Sequence, residues 1–275
     1  MDNRRTFLAK ASGGFLGLSI ANLSSTSWFQ NEAQLSSIYP TGPLEQVRAV
    51  VGAAHANFDL VKELVDNQPE LAKASYDWGF GDWESALGAA AHMGRKDIAE
   101  YLMENGARPN LFTWAMLGKL NVVKSIIETN QDIRKLHGPH GFNLMHHATI
   151  RINRKMLEGS ELARQEELVT YLEEVGECDT RQASLPISED EKNEYLGKYP
   201  FGSGDDEFFE VTLNRRGLLS LQRGSFFGRV LNKIAPDTFA PSGAPSVRIV
   251  FGRLGGKVNS VTIHNPTPIV TAKMT

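Results

Sequence analysis

The chain has 275 residues, 22% of them charged and 41% hydrophobic, with a formal net charge of −3; this is the balance of a folded chain of about two domains. No basic excess points to nucleic acid or to an anionic membrane surface. One cysteine, Cys178, excludes an intramolecular disulfide and a cysteine-based zinc site, so packing alone must hold the fold.

The N-terminus reads NRRTFLAKASGGFLGLSIANLSSTSWF from Asn3. Two arginines precede a short apolar stretch, Ala11 to Leu23, that Gly13, Gly14 and Gly17 interrupt. It is too short and too broken for a bilayer span of about 20 apolar residues. A basic start, an apolar middle and small residues after it describe an export signal. Arg4-Arg5-Thr6-Phe7-Leu8 resembles the twin-arginine motif, which implies export of an already folded protein across a bacterial inner membrane. Asn3 and Ala9 depart from the usual Ser or Thr and Lys. Cleavage after Ala21 or Ser27 leaves a periplasmic or secreted protein with no stable membrane anchor. Residues 1–27 are therefore expected to be the signal, and the polar, turn-rich residues 28–43 a linker.

Residues 44–179 repeat. The segment ESALGAAAHMGRKDIAEYLMENGARPN places Leu87, Ala90-Ala91, Gly94, Ile98-Ala99 and Leu102-Met103 in order. Upstream the same order appears as Val50, Ala53-Ala54, Asn57, Leu60-Val61 and Leu64-Val65. Downstream it appears as Leu111, Trp114-Ala115, Gly118, Val122-Val123 and Ile126-Ile127. A fourth copy opens at GFNLMHHAT and closes at EELVTYLEEVG, around an insertion RINRKMLEGSELARQ. Each copy predicts two short helices. The alanines allow close packing, and Asn57, Gly94 and Gly118 sit where a helix ends in a left-handed turn. One such hairpin cannot bury its own apolar stripe, so the copies are expected to stack.

These residues resemble the ankyrin repeat, with Ser85-Ala86-Leu87-Gly88 and Asn143-Leu144-Met145-His146 standing where T-P-L-H is expected. The resemblance implies a helical solenoid that binds other proteins. Spacing departs from the family: Asn57 to Gly94 exceeds its period of about 33 residues, and Gly94 to Gly118 falls well short of it.

After residue 186 the pattern changes. DEFFEVTLNRRGLLSLQRG alternates around a turn at Asn214 to Gly217, and two β-rich runs, Val247 to Phe251 and Val258 to His264, flank Gly255-Gly256. Residues 187–275 are expected to form a small antiparallel β domain, led by a short helix from Ser188 to Glu194. Leu196-Gly197-Lys198-Tyr199 and Asp237-Thr238-Phe239 resemble a domain of unknown function that follows β-lactamase-like secreted hydrolases. That family supplies no catalytic residues. The expected class is thus α+β and multidomain, an ankyrin-type helical solenoid followed by an antiparallel β domain.

No motif for nucleophilic, metallo- or phosphate chemistry is present, and no enzyme activity, cofactor or metal is expected. His137, His140, His146 and His147 cluster in sequence, but His146 holds a structural position of the ankyrin turn and His137 and His140 flank a proline. His55 and His92 occupy equivalent positions in adjacent copies, so their rings should line one groove with Met116 beyond them. This groove is read as a partner surface that weakens when imidazole protonates near its ordinary pKa of about 6.5. The finger SYDWGFGDWES offers Trp78, Phe80 and Trp83, either as interface anchors or folded back to seal the first two repeats or meet the β domain. Asp205, Asp206 and Glu207 fall short of a calcium loop. The resulting expectation is a non-catalytic protein of the bacterial envelope that binds a protein partner through His55, Trp78, Phe80, Trp83, His92 and Met116. Two alternatives are a small-molecule binder with a β-domain cavity lined by Phe208, Phe226, Phe227 and Phe239, and an accessory subunit of a secreted hydrolase.

Overall fold

Asparagine and serine side chains start the helices. The computed structural model describes residues 42–224 and 228–275. In it α1 (Leu44–Ala53) and α2 (Phe58–Asn67) are joined by a turn in which the Asn57 side chain accepts the Leu60 N–H. A two-stranded hairpin, β1 (Ser75–Asp77) and β2 (Trp83–Ser85), leads into α3 (Ala86–Met93) and α4 (Lys96–Glu104). The third pair is α5 (Leu111–Met116) with α6 (Leu120–Thr129), and the fourth is α7 (Leu144–Asn153) with α8 (Gly159–Val175). Ser85, Asn110 and Asn143 each accept the N–H of the third residue of α3, α5 and α7, satisfying donors that a helix start leaves open.

Gly94 and Gly118 have positive φ, as the repeat pattern predicts. Asn57 does not. Its φ is −107°, and it caps the following helix instead of ending the preceding one. A Cβ on Gly94 would lie 3.0 Å from Arg151 Cγ, so space as well as handedness selects glycine there.

Each helix packs on its own partner, and α1, α3, α5 and α7 touch in succession. Ala89, Ala90 and Ala91 are fully buried, so α3 is enclosed on every side by close neighbours. One contact breaks the regular order: α7 also packs directly on α3. The cause is the short first helix of the third pair. With six residues, α5 is too small to hold α3 and α7 apart.

The linker beyond α8 reaches α9 (Glu189–Tyr195), capped by Ser188, and then an up-and-down sheet. Its strands are β3 (Gly197–Pro200), β4 (Phe208–Leu213), β5 (Leu219–Arg223), β6 (Arg229–Ala235), β7 (Thr238–Pro241), β8 (Arg248–Leu254), β9 (Lys257–His264) and β10 (Pro268–Lys273). Every sequential neighbour pairs antiparallel. Alternation supplies the interior: Ile249 and Phe251 on β8 and Val261 and Ile263 on β9 are buried around Tyr195, Tyr199 and Phe239. The two edges curl toward each other until the Thr275 N–H donates to the Lys198 carbonyl at 3.2 Å, so the sheet nearly closes into a barrel.

The fold is α+β, with nine α-helices among the described residues. Leu44–Thr275 form one compact unit. The export signal expected at residues 1–27 lies outside the described residues. Among those described, no helix is long and apolar enough to cross a membrane.

Candidate functional site

The hairpin β1–β2 carries two carboxylates, Asp82 and Glu84, two residues apart and therefore on one face of the chain. Both are buried, Asp82 3% exposed and Glu84 fully enclosed. A buried carboxylate needs compensating donors, and the helical segments supply them as imidazoles.

His55 stands in the turn after α1. Its Nδ1 donates toward the carbonyls of Gly52 and Val51 at 3.1 and 3.2 Å, which leaves Nε2 facing inward. That Nε2 lies 3.4 Å from Glu84 Oε2. His92, in the last turn of α3, places Nε2 2.8 Å from Glu84 Oε1 and 3.2 Å from His55 Nε2. His140 comes from the turn before α7 and takes a left-handed backbone, φ 59°, that few non-glycine residues adopt. Asp82 holds it there: Oδ1 accepts its backbone N–H at 3.0 Å and Oδ2 bonds Nδ1 at 2.8 Å. The remaining ring nitrogen, Nε2, points to Glu84 Oε2 at 3.3 Å. Trp78 Nε1 donates to the same oxygen at 2.7 Å.

The sheet joins this centre through Arg229 on β6, which bonds Asp82 Oδ2 at 2.5 Å. The electrostatics follow from these contacts. Burial works to raise the Glu84 pKa, but hydrogen bonds from His140 and His92 bring it down to about 2. Burial likewise works against charge on His140, yet Asp82 and Glu84 push its pKa up to about 9. His92 moves the other way: burial lowers it, and Glu84 only partly offsets that. Its Nδ1 is buried with no hydrogen-bond partner among the described residues. Chemically, the centre offers one carboxylate and three imidazoles, His55, His92 and His140, whose donor atoms all lie within 4.8 Å of one another. Such a set can share protons or hold a cation.

Of the residues predicted from sequence, His55 and His92 do meet, with ring centroids 4.9 Å apart. Met116, expected beyond them on the same surface, is fully buried in the helical core, because short α5 is enclosed between α3 and α7. Trp78 folds back edge-on to Tyr76 and His55. Phe80 packs against the sheet interior. Trp83 stays out, 63% exposed. His137, His146 and His147 do not join His140. They bond the carbonyls of Thr180, His92 and Asn143 respectively. Phe239 belongs to the packed sheet core, and the Lys198 ammonium lies 3.6 Å above the Phe208 ring. Phe226 and Phe227 lie outside the described residues. Glu207 spends a carboxylate oxygen on the Gly204 N–H.

Two cavities flank the centre. One, about 410 Å³, opens beside Trp83 and is lined by Asp82, Phe112, His137, Pro139 and His147. The other, about 320 Å³, lies between the hairpin and the sheet, lined by Trp78, Phe80, Phe209, Arg223, Arg229 and Leu231.

No family model matches this sequence, and no curated protein does. Among solved structures, a crystal structure of SurE aligns with 24% identity over 42% of this chain and 27% of that one, with a TM-score of 0.25. A second SurE structure, with D-Leu, aligns with 25% identity over the same shares and the same score. The aligned part of this chain thus spans about a quarter of the SurE chains, and a likeness this slight transfers neither fold nor function.

Proposed function

We propose that the helix pairs are ankyrin-type repeats and that the protein is a non-catalytic binding protein, exported to the bacterial envelope, which holds a protein partner at the tip of its hairpin. The observation that supports this reading most is Trp83. It is a large aromatic side chain, 63% exposed, beside an open groove of about 410 Å³, and such residues anchor interfaces more than their share. Asp82, on the hairpin beside the helix pairs, is held by Arg229 of the protein's own sheet, so that part of the surface is closed to a partner. The thiol of Cys178 is buried and pushed up to about 11, far from an activated nucleophile.

A photo-crosslinking residue at position 83 tests the reading. It should trap one defined protein from envelope extracts, and the same residue at Val122, on the exposed face of α6, should not. Equal yields at both positions would refute it. A second reading, small-molecule binding, is favoured by the cavity of about 320 Å³ that joins apolar walls to Arg223 and Arg229. Native mass spectrometry of the purified chain separates the two, since a retained metabolite without a protein partner supports the second.

A further inference from the structure

We infer that His55, Glu84, His92 and His140 form a binding site for one late first-row divalent metal ion, with Zn²⁺ the best match to the donors. The donors are three imidazole nitrogens and one carboxylate oxygen, a set suited to zinc at about 2.0–2.2 Å in tetrahedral geometry. Four donors at that distance stand about 3.3–3.6 Å apart along the edges of the tetrahedron. With Glu84 Oε2 as the carboxylate donor, three of the edges are 3.2, 3.3 and 3.4 Å, while His92 Nε2 bonds the other carboxylate oxygen at 2.8 Å. All four residues bring a donor atom within 4.8 Å of the others, so a small contraction of the cage closes a coordination shell.

The outer partners point the same way. A metal-bound imidazole usually gives its other N–H to a carboxylate or a backbone carbonyl, which fixes the ring and turns the lone pair to the metal. His140 Nδ1 meets Asp82 and His55 Nδ1 meets the Gly52 carbonyl, so in both rings Nε2 is the inward atom. Hydrogen bonds alone serve the centre less well. His55 Nε2 and His92 Nε2 face each other at 3.2 Å with a carboxylate oxygen beside each, and the single N–H of a neutral His92 ring cannot satisfy all of them. A cation between them does. His55 and His140 are 26% and 29% exposed, which leaves a route in from solvent.

Four protein donors describe a closed, structural site. It would tie the first, second and fourth helix pairs at one point, and through Asp82 and Arg229 it would fix the sheet to them. This role is independent of which partner Trp83 engages.

The test uses the full chain, tag-free and stripped with chelator, titrated with Zn²⁺ by calorimetry and with Co²⁺ by absorption. One ion per chain, the visible bands of four-coordinate Co²⁺, and a rise in Tm on adding Zn²⁺ are expected. His55→Gln and His140→Asn should each weaken binding at least 10-fold, and Asp82→Asn by about 10–100-fold through the ring it orients. His264→Gln, on β9 away from the centre, should bind as wild type does. Circular dichroism shows which variants fold, and His55→Gln, at a partly exposed turn, is the one chosen to survive. The inference is overturned if the stripped chain takes up no stoichiometric Zn²⁺, if folded His55→Gln binds as tightly as wild type, or if Co²⁺ binds only with a six-coordinate spectrum.

Discussion

Arg229 and Asp82 lie 147 residues apart in the chain, and their contact is the polar joint between hairpin and sheet. Asp82 is 3% and Arg229 13% exposed, so this pair is not a solvent-screened surface bridge. Removing one partner of a buried pair costs about 3–5 kcal/mol, because the other charge stays behind uncompensated. Asp82 keeps two bonds from His140, which places Arg229→Met near the lower end, at about 3 kcal/mol. For a unit of this size each kcal/mol moves Tm by about 2–4 °C, so a drop of about 6–12 °C is expected. Urea unfolding at pH 7 with chelator present measures the loss directly. In a double-mutant cycle, Arg229→Met should cost at least about 1 kcal/mol less in an Asp82→Asn background than in wild type, since the carboxylate that it would orphan is already gone. If Arg229→Met unfolds within 0.5 kcal/mol of wild type, the joint contributes nothing and the reasoning about the junction fails.

His147 is buried, its Nδ1 donates to the Asn143 carbonyl, and burial pushes its pKa down to about 3. The folded protein therefore leaves it neutral while the unfolded chain takes up a proton below about 6.5; the stabilisation is whole above that pH and declines as pH falls toward 3. Between pH 7 and pH 5 the decline should be about 2 kcal/mol, and His147→Leu should flatten that part of the curve in urea titrations at the two pH values. Gly94→Ala forces a side chain into a left-handed position 3.0 Å from Arg151 Cγ, and should cost about 1–2 kcal/mol or more by thermal melt. Trp78→Ala removes a half-buried ring and the donor to Glu84, so a loss of about 2–3 kcal/mol is expected. Trp83→Ala should melt within 0.5 kcal/mol of wild type, and a large loss there would show that the hairpin tip is part of the core.

Local signals made much of the fold legible. The alanine run of α3 and the helix-ending Gly94 and Gly118 depend on nearest neighbours, and a sequence displays those. The β-rich runs were equally open to reading, with Gly255-Gly256 turning between β8 and β9 as their spacing predicts. The site was harder. His55 and His92 could be paired because repetition places them at equivalent positions. His140 could not be added to them, because its approach depends on α5 being too short to separate α3 from α7, a tertiary consequence of one six-residue helix. Grouping His137, His140, His146 and His147 by sequence proximity misleads for the same reason: neighbouring rings on a loop and a helix start point to different places. Glu84 and Asp82 are not among the site residues that the sequence singles out. Their signal is two carboxylates at i and i+2 among aromatic residues, one just before β2 and one within it, where one face turns both inward.

The account turns on the imidazole–carboxylate centre being a metal site, and X-ray absorption at the zinc edge of the loaded full chain tests it most directly. The expected spectrum has four light-atom neighbours at about 2.0 Å with the outer-shell scattering of three imidazole rings. A shell of six oxygens, or one without imidazole scattering, would place the ion elsewhere on the protein and contradict the account.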